Sequence, residues 1–333
     1  MFPAGILEVT KDEMSSHTAR LFGRFAAAMA VSAVAVIAGA QESAQPAPSN
    51  APAPTRALPI RYEEALARRG FPSPVLRVTV NGVTGWVLVD TGAGIHTLAA
   101  WFVEKAGLVP DASLTDRVGG RDASGERVFL RFLDDVRLTL DGPQALSLGV
   151  SAVADFPAEF ESARVAGLIS PQSLLRDGER LILDLRSPSL RMEATGQRAD
   201  ADEPGDRMDA CSARTAQVPS LLFAVQVAVE GRPARLLVDT GASATRLAGD
   251  ASAAIGLPRD AARDHLGVGG VREAMSVARG VPVRVGGLEQ VVDVAIGGAT
   301  AGCGGDGLLG IDVLRQCRLV LTASAGRVEC GSR

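Results

Sequence analysis

From Ala57 onward, apolar and polar positions fall into short runs closed by Gly, Asn, Asp or Pro. Leu76–Gly82 (LRVTVNG) alternates and ends in Asn-Gly, as a strand entering a hairpin does. It leads into Trp86–Gly94 (WVLVDTGAG), where an apolar run stops at Asp-Thr-Gly-Ala. An uninterrupted apolar run reads as a buried strand, and the Asp that ends it as the start of a tight, glycine-permitted turn. The pattern then repeats: Val225–Gly231 (VQVAVEG) leads into Arg235–Ser243 (RLLVDTGAS). In both copies the first strand begins fourteen residues before the Asp. An Ala-rich, helical stretch ends in Gly-Leu eighteen residues after it, at Leu108 and Leu257. Val-Gly-Gly follows, at Val118–Gly120 and Val268–Gly270, and then strand-like segments. Each copy closes with a glycine-led turn (Gly167–Ser170, Gly307–Gly310), a short helix and a hairpin, LILDLRSPSLRME or RLVLTASAGRVEC.

The repeat predicts a mainly β protein with short helices, built as two closed β-barrel domains related by a pseudo-two-fold axis. The first domain spans residues 57–193 and the second 217–333. Residues 194–216, polar and rich in Gly, Asp and Arg, are expected to link them. Ahead of this, Arg20 and Arg24 precede the apolar run Phe25–Ala40, which ends in small residues. Residues 1–40 therefore read as a secretory signal peptide, with Met14 open as an alternative start. The run is shorter than the ~20 residues of a spanning helix, and an uncleaved membrane anchor stays open as the alternative. Residues 41–56, rich in Pro and Ala, read as an extended spacer. Export to a bacterial periplasm is the expectation, with the chain soluble after cleavage or held by its N-terminus.

Composition narrows the partners. Of 333 residues, 47% are hydrophobic and 22% charged, enough apolar material for a sizeable core. A formal net charge of −4 offers no footprint for nucleic acid. All four cysteines lie in the second half, without metal-site or redox-motif spacing. In an exported chain they fit two disulfides. Sequence alone leaves three connectivities open; Cys317 and Cys330 flank a hairpin, which favours that bridge with Cys211–Cys303 by default, and four buried thiols are the alternative.

The chemistry lies in the doubled Asp. Two carboxyls about 3 Å apart cannot both ionise, so they share a proton and offer a base and an acid at one pH. Such a pair can activate water and polarise a carbonyl. Asp90 and Asp239 are read as that pair, meeting in one cleft. Thr91 and Thr240 are expected to reach across the axis and bond the opposite loop. Gly92 and Gly241 let main-chain N–H groups approach the carboxylates, and Ala93 and Ala242 are small enough to line the pocket. The bland alternative is two turn Asp residues bonded to their own backbones. Val118–Val128 and Gly267–Met275 read as hairpins that close over substrate, with Gly119, Gly120, Gly269 and Gly270 at their turns; ordinary surface hairpins are the alternative. His96 and His265 read as solvated loop histidines without a role, and Trp86 and Trp101 as core residues. No metalloprotease, serine-hydrolase, Rossmann or Walker motif appears in the right context, so neither cofactor nor metal is expected.

The doubled hydrophobic-Asp-Thr-Gly-Ala stretch, with GLLGIDVL at Gly307–Leu314, resembles the retropepsin-like aspartic proteases, in particular exported bacterial members with two fused domains. The resemblance covers nearly all of Ala57–Arg333. It implies an endopeptidase acting on a polypeptide, in which Asp90 and Asp239 are catalytic and Thr91, Gly92, Thr240 and Gly241 support them. The substrate is expected to be an exported or membrane-anchored protein, and the chain a monomer containing its own pseudo-dimer. The sequence departs from the family in GLISPQSLL (Gly167–Leu175), where Ser170 replaces the expected Gly and the following Asp is absent. Gly94-Ile95 and Ser243-Ala244 lack the acidic side chains with which some members hold substrate. The sole tyrosine, Tyr62, lies far ahead of the first Asp, against a pepsin-like flap. The divergence keeps a second reading open, a catalytically weak peptide-binding module of the same fold.

Overall fold

The computed structural model describes residues 55–112, 120–121, 127–128, 130–141, 144–195, 204–215, 218–266, 272–298 and 302–331. The N-terminal segment read as a signal peptide lies outside them, as does the spacer up to residue 54. The first half contributes β1 (Arg56–Leu58), β2 (Val75–Val80), β3 (Val83–Val89), β4 (Thr97–Ala99), β5 (Gly120–Arg121), β6 (Arg127–Val128) and β7 (Arg131–Leu133). It continues with β8 (Val136–Leu140), β9 (Ala145–Leu148), β10 (Ser151–Ala154), β11 (Val165–Ile169), β12 (Glu179–Asp184) and β13 (Ser189–Ala194). The second half contributes β14 (Asp206–Thr215), β15 (Val218–Val229), β16 (Arg232–Val238), β17 (Arg246–Leu247) and β18 (Arg263–Leu266). Then come β19 (Arg272–Val285), β20 (Leu288–Ile296), β21 (Gly307–Leu309), β22 (Cys317–Leu321) and β23 (Ala325–Cys330).

Each half curls one sheet into a barrel. In the second, the row β15-β16-β21-β17-β20-β19 closes when β19 returns to β15, with Val229 opposite Val283. In the first, the row is β7-β10-β4-β11-β3-β2-β8-β9. Its ends are joined covalently, because β7 runs into β8 through Asp134-Asp135 and β9 into β10 through Gly149-Val150. They are the two pieces of a hairpin that the second half keeps whole as β19–β20, with only a register shift between Ala278 and Val281. Asp135 turns the break with a φ of 46°, in the left-handed region that Asp tolerates better than most residues.

The strand delivering each Asp is central in its sheet. β3 lies between antiparallel β2 and parallel β11, and β16 between antiparallel β15 and parallel β21. Val87, Leu88 and Val89 are buried, as are Leu236, Leu237 and Val238. Burial on both faces is why these strands are apolar without alternation.

The halves share structure. β1-β13-β12-β22-β23-β14 form one antiparallel stretch of sheet, with Leu181 opposite Leu321 and Leu183 opposite Leu319 where the two terminal hairpins meet. Leu181, Leu183, Leu190 and Met192 of the first half lie in one continuous core with Met208, Leu319, Leu321 and Val328 of the second. The expected linker is in part wrong: Asp206–Thr215 is strand β14, paired with β15 and β23. Its pattern, buried Met208 and half-buried Ala210 around exposed Asp209, is that of a strand with one face in water. Arg56, placed at the end of the spacer, likewise opens β1.

Both disulfides form, Cys317–Cys330 across β22 and β23 and Cys211–Cys303 between β14 and the loop before β21. The Ala-rich stretches differ: Ala100–Lys105 is an α-helix, but its counterpart is a single 3₁₀ turn, Ser252–Ala254. β5 pairs with β6, and β18 with the start of β19, so a hairpin stands at both expected flap positions. Gly120 is in β5; Gly119, Gly269 and Gly270 lie outside the described residues.

Candidate active site

Two Asp turns face each other at the meeting of the halves. Asp90 leaves the end of β3 with its N–H bonded to the Ile169 carbonyl of β11, and Asp239 leaves β16 bonded to Leu309 of β21. The N–H groups of Gly92 and Ala93 donate to Asp90 Oδ1 at 2.8 and 3.0 Å. Those of Gly241 and Ala242 donate to Asp239 Oδ1 at 2.9 and 3.0 Å. A Cβ on Gly92 would overlap the Asp239 carboxyl, and one on Gly241 the Asp90 carboxyl. Only glycine permits this approach of each turn to the opposite carboxyl.

The two threonines cross the axis. Thr91 Oγ1 donates to the Val238 carbonyl at 2.7 Å and accepts from the Thr240 N–H at 3.0 Å. Thr240 Oγ1 donates to the Val89 carbonyl at 2.6 Å and accepts from the Thr91 N–H at 3.1 Å. Both side chains are buried, so each hydroxyl satisfies a backbone donor and acceptor that water cannot reach.

Asp90 and Asp239 are each 8% exposed, and each carboxyl lies against the glycine of the opposite turn. Burial raises the Asp90 pKa well above the usual carboxylate range, and the neighbouring Asp239 charge raises it further. Burial also raises that of Asp239, while the adjoining Asp90 carboxyl, the N–H groups of Ala242 and Gly241, and the Arg246 charge pull it back. Two adjoining carboxyls whose pKa values are both raised titrate as a pair rather than singly. Arg246, buried in β17, is among the groups that lower the Asp239 pKa; at the equivalent place in β4 stands uncharged Thr97.

Four polar residues around the turns were not singled out from the sequence as part of the site. Thr245 donates from its N–H and its hydroxyl to the Asp312 carboxylate, at 2.9 and 2.8 Å, and accepts from the Gly310 N–H at 3.2 Å. Burial lifts the Asp312 pKa against these bonds. Gln172 occupies the Asp312 position in the first half and is buried against the Asp90 turn. Ser220 is buried in β15, where a Cβ on Gly94 would overlap its hydroxyl, which explains Gly94 where the second turn has Ser243. The available signal was the sequence difference between GLISPQSLL and GLLGIDVL, which marks the region but not its contacts.

The expectation of a solvated His96 is overturned. It is 3% exposed, packed where Ile95, Phe132 and Ala152 cluster, and its carbonyl accepts from the Ala152 N–H at 2.8 Å. Its Nδ1 has no hydrogen-bond partner among the described residues, and burial lowers its pKa to about 4. The side chain of His265 lies outside the described residues. Trp86 and Trp101 are half-buried against the core, Trp101 donating to the Val165 carbonyl at 3.2 Å. Tyr62 is away from the Asp turns; it bonds the Leu185 carbonyl, and Arg315 of the second half stacks on its ring.

None of the curated proteins compared matches the chain. The family described as Aspartyl protease matches it twice, over residues 76–152 and 225–313, once in each barrel and each time across an Asp turn. With the duplicated β architecture and paired turns, the chain belongs to the retropepsin-like aspartyl proteases.

Proposed function

We propose that this protein is an aspartic endopeptidase in which Asp90 and Asp239 together activate water. The observation that supports the reading is the pair of turns: two buried carboxyls, each against the opposite turn's glycine and each fixed by two backbone N–H groups, on turns cross-tied by Thr91 and Thr240. In this reaction the ionised carboxyl takes a proton from water while the protonated one donates to the scissile carbonyl oxygen, and the shared proton lets both happen at one pH. Gly92, Ala93, Gly241 and Ala242 hold the carboxylate oxygens so that little reorganisation accompanies the transfer. The hairpins β5–β6 and β18–β19 stand in the chain where flaps over a bound peptide are expected.

The substrate class is an extended polypeptide segment, of an exported or membrane-anchored protein. Two disulfides fit an oxidising compartment such as the periplasm. No helix among the described residues is long and apolar enough to cross a membrane. Both carboxyls come from one chain, so the working unit is the monomer, and specific activity is expected to be independent of dilution.

The test is cleavage of a peptide library by the purified protein from acid to neutral pH, with Asp90→Asn and Asp239→Asn assayed separately. Cleavage by the wild type and by neither variant supports the reading. A wild type inert at every pH removes it, and activity that survives either substitution removes the paired mechanism.

A further inference from the structure

The two Asp turns differ in the donor that satisfies one carbonyl. In the second half the Ala242 carbonyl accepts from the backbone N–H of Ile311 at 2.9 Å, at the start of the helix Ile311–Leu314. The sheet register fixes the equivalent residue: Leu309 lies opposite Val238 as Ile169 lies opposite Val89, so Ile311 corresponds to Pro171. Proline has no N–H and cannot make this bond. The corresponding carbonyl, Ala93, is nevertheless satisfied, by the side-chain Nε2 of the next residue, Gln172, at 2.9 Å. The Thr91 carbonyl at 3.1 Å and the Leu221 carbonyl of the second half, in β15, at 2.9 Å lie within hydrogen-bond distance of the same nitrogen, so its two hydrogens are shared among three acceptors. Three carbonyls around one end of the amide identify that end as the nitrogen.

The arrangement is costly elsewhere. Gln172 Oε1 is buried and has no hydrogen-bond partner among the described residues. An orphaned acceptor of this kind disfavours the fold unless the donor end does something that compensates. Thr91–Ala93 is the segment whose N–H groups hold Asp90 Oδ1, and Leu221 belongs to the opposite half.

We propose that Gln172 is a positioning residue that replaces the backbone N–H lost at Pro171 and, through Leu221, fastens the Asp90 turn to the second half. The divergent segment is then a compensated substitution that keeps the site assembled. This rests on the reading of Asp90 and Asp239 as the acting pair.

The experiment uses the full-length protein with Gln172→Met, Gln172→Glu and the double variant Pro171→Ile/Gln172→Met. Met fills the space without donating; replacing Pro171 by Ile restores the backbone N–H. Gln172→Met is expected to lower kcat about tenfold, with KM within about twofold. The double variant is expected to recover to within about threefold of wild type. Gln172→Glu donates only while protonated, so its activity relative to wild type falls as pH rises. Carboxyl NMR of Asp90 reads the positioning without turnover: its pKa rises in Gln172→Met, as the N–H groups holding the carboxylate loosen, and returns in the double variant. The inference is overturned if Gln172→Met loses only thermal stability, with kcat and pH profile intact, or if adding Pro171→Ile rescues nothing. If Gln172→Met does not fold, a Gln172→Glu profile parallel to wild type overturns it. A wild type without peptidase activity removes the proposed function, whereas the Asp90 titrations still decide the role of Gln172.

Discussion

In the second half the Asp turn is held by the Ile311 N–H on the Ala242 carbonyl and by Thr245 locked to Asp312, with one bond from the first half, Ser73 Oγ to the Gly241 carbonyl at 3.4 Å. The first half, at the same positions, has Pro171, Gln172 and His96, and its turn is held by a side chain that also reaches the other half. Yet each carboxyl receives two N–H bonds, and the threonine cross-ties match to within about 0.1 Å. Duplication has preserved the geometry at the carboxyls while the bonds one layer behind them have changed. A buried carbonyl must have a donor but does not specify which one, so the supporting layer is free to drift where the carboxyl layer is not.

The comparison breaks most sharply at the carboxyls. Asp90→Asn or Asp239→Asn is expected to reduce peptide cleavage by about 10³-fold or more, because neither carboxyl alone supplies both acid and base. Both variants should gain thermal stability at neutral pH. A carboxyl with a raised folded-state pKa binds its proton more tightly in the native state, so stability falls as pH rises from the unfolded value towards the folded one. Comparison of the two gains reads how the pair divides its proton.

The disulfides test whether the second half is the more dependent on cross-links. Cys211–Cys303 spans 92 residues and Cys317–Cys330 only 13, so removing them is expected to cost about 5 and about 3 kcal/mol, read by denaturant unfolding. Hydrogen exchange after reduction should show β14 and the Gly302–Gly304 turn opening before the first barrel.

Thr91→Val and Thr240→Val each orphan one buried N–H and one buried carbonyl, for about 3 kcal/mol by the same measurement. Equal losses would extend the symmetry of the cross-tie from geometry to energy. At neutral pH the smallest effect should come from His96→Thr, which installs the second-half residue. With its folded pKa lowered to about 4, buried His96 contributes stability that is complete above the unfolded pKa near 6.5 and lost as pH falls towards 4. The variant should flatten that acid limb by up to about 3 kcal/mol, whereas Thr245→Val, which keeps His96, should retain it.

The strands carrying the Asp turns were legible because burial on both faces leaves a local mark, an unbroken apolar run ending at Asp-Thr-Gly. The second Asp-Thr-Gly made the first interpretable, and the hairpin flanked by Cys317 and Cys330 placed one disulfide. Strand β14 was missed because it is half-polar and short of strong β-formers, and only its neighbours β15 and β23 make it a strand. His96 was misread because loop sequence does not record that the folded chain buries it.

What the sequence by itself determined was the duplication, the mainly β character and the position of each Asp, all properties carried within a few consecutive residues. Tertiary structure alone decided that the two terminal hairpins share one sheet, and that Gln172 stands in for a missing N–H. It also set Arg246 beside one carboxyl and uncharged Thr97 in the matching place beside the other. These are pairings between residues far apart in the chain, and local pattern encodes which face a residue shows but not what will meet it there.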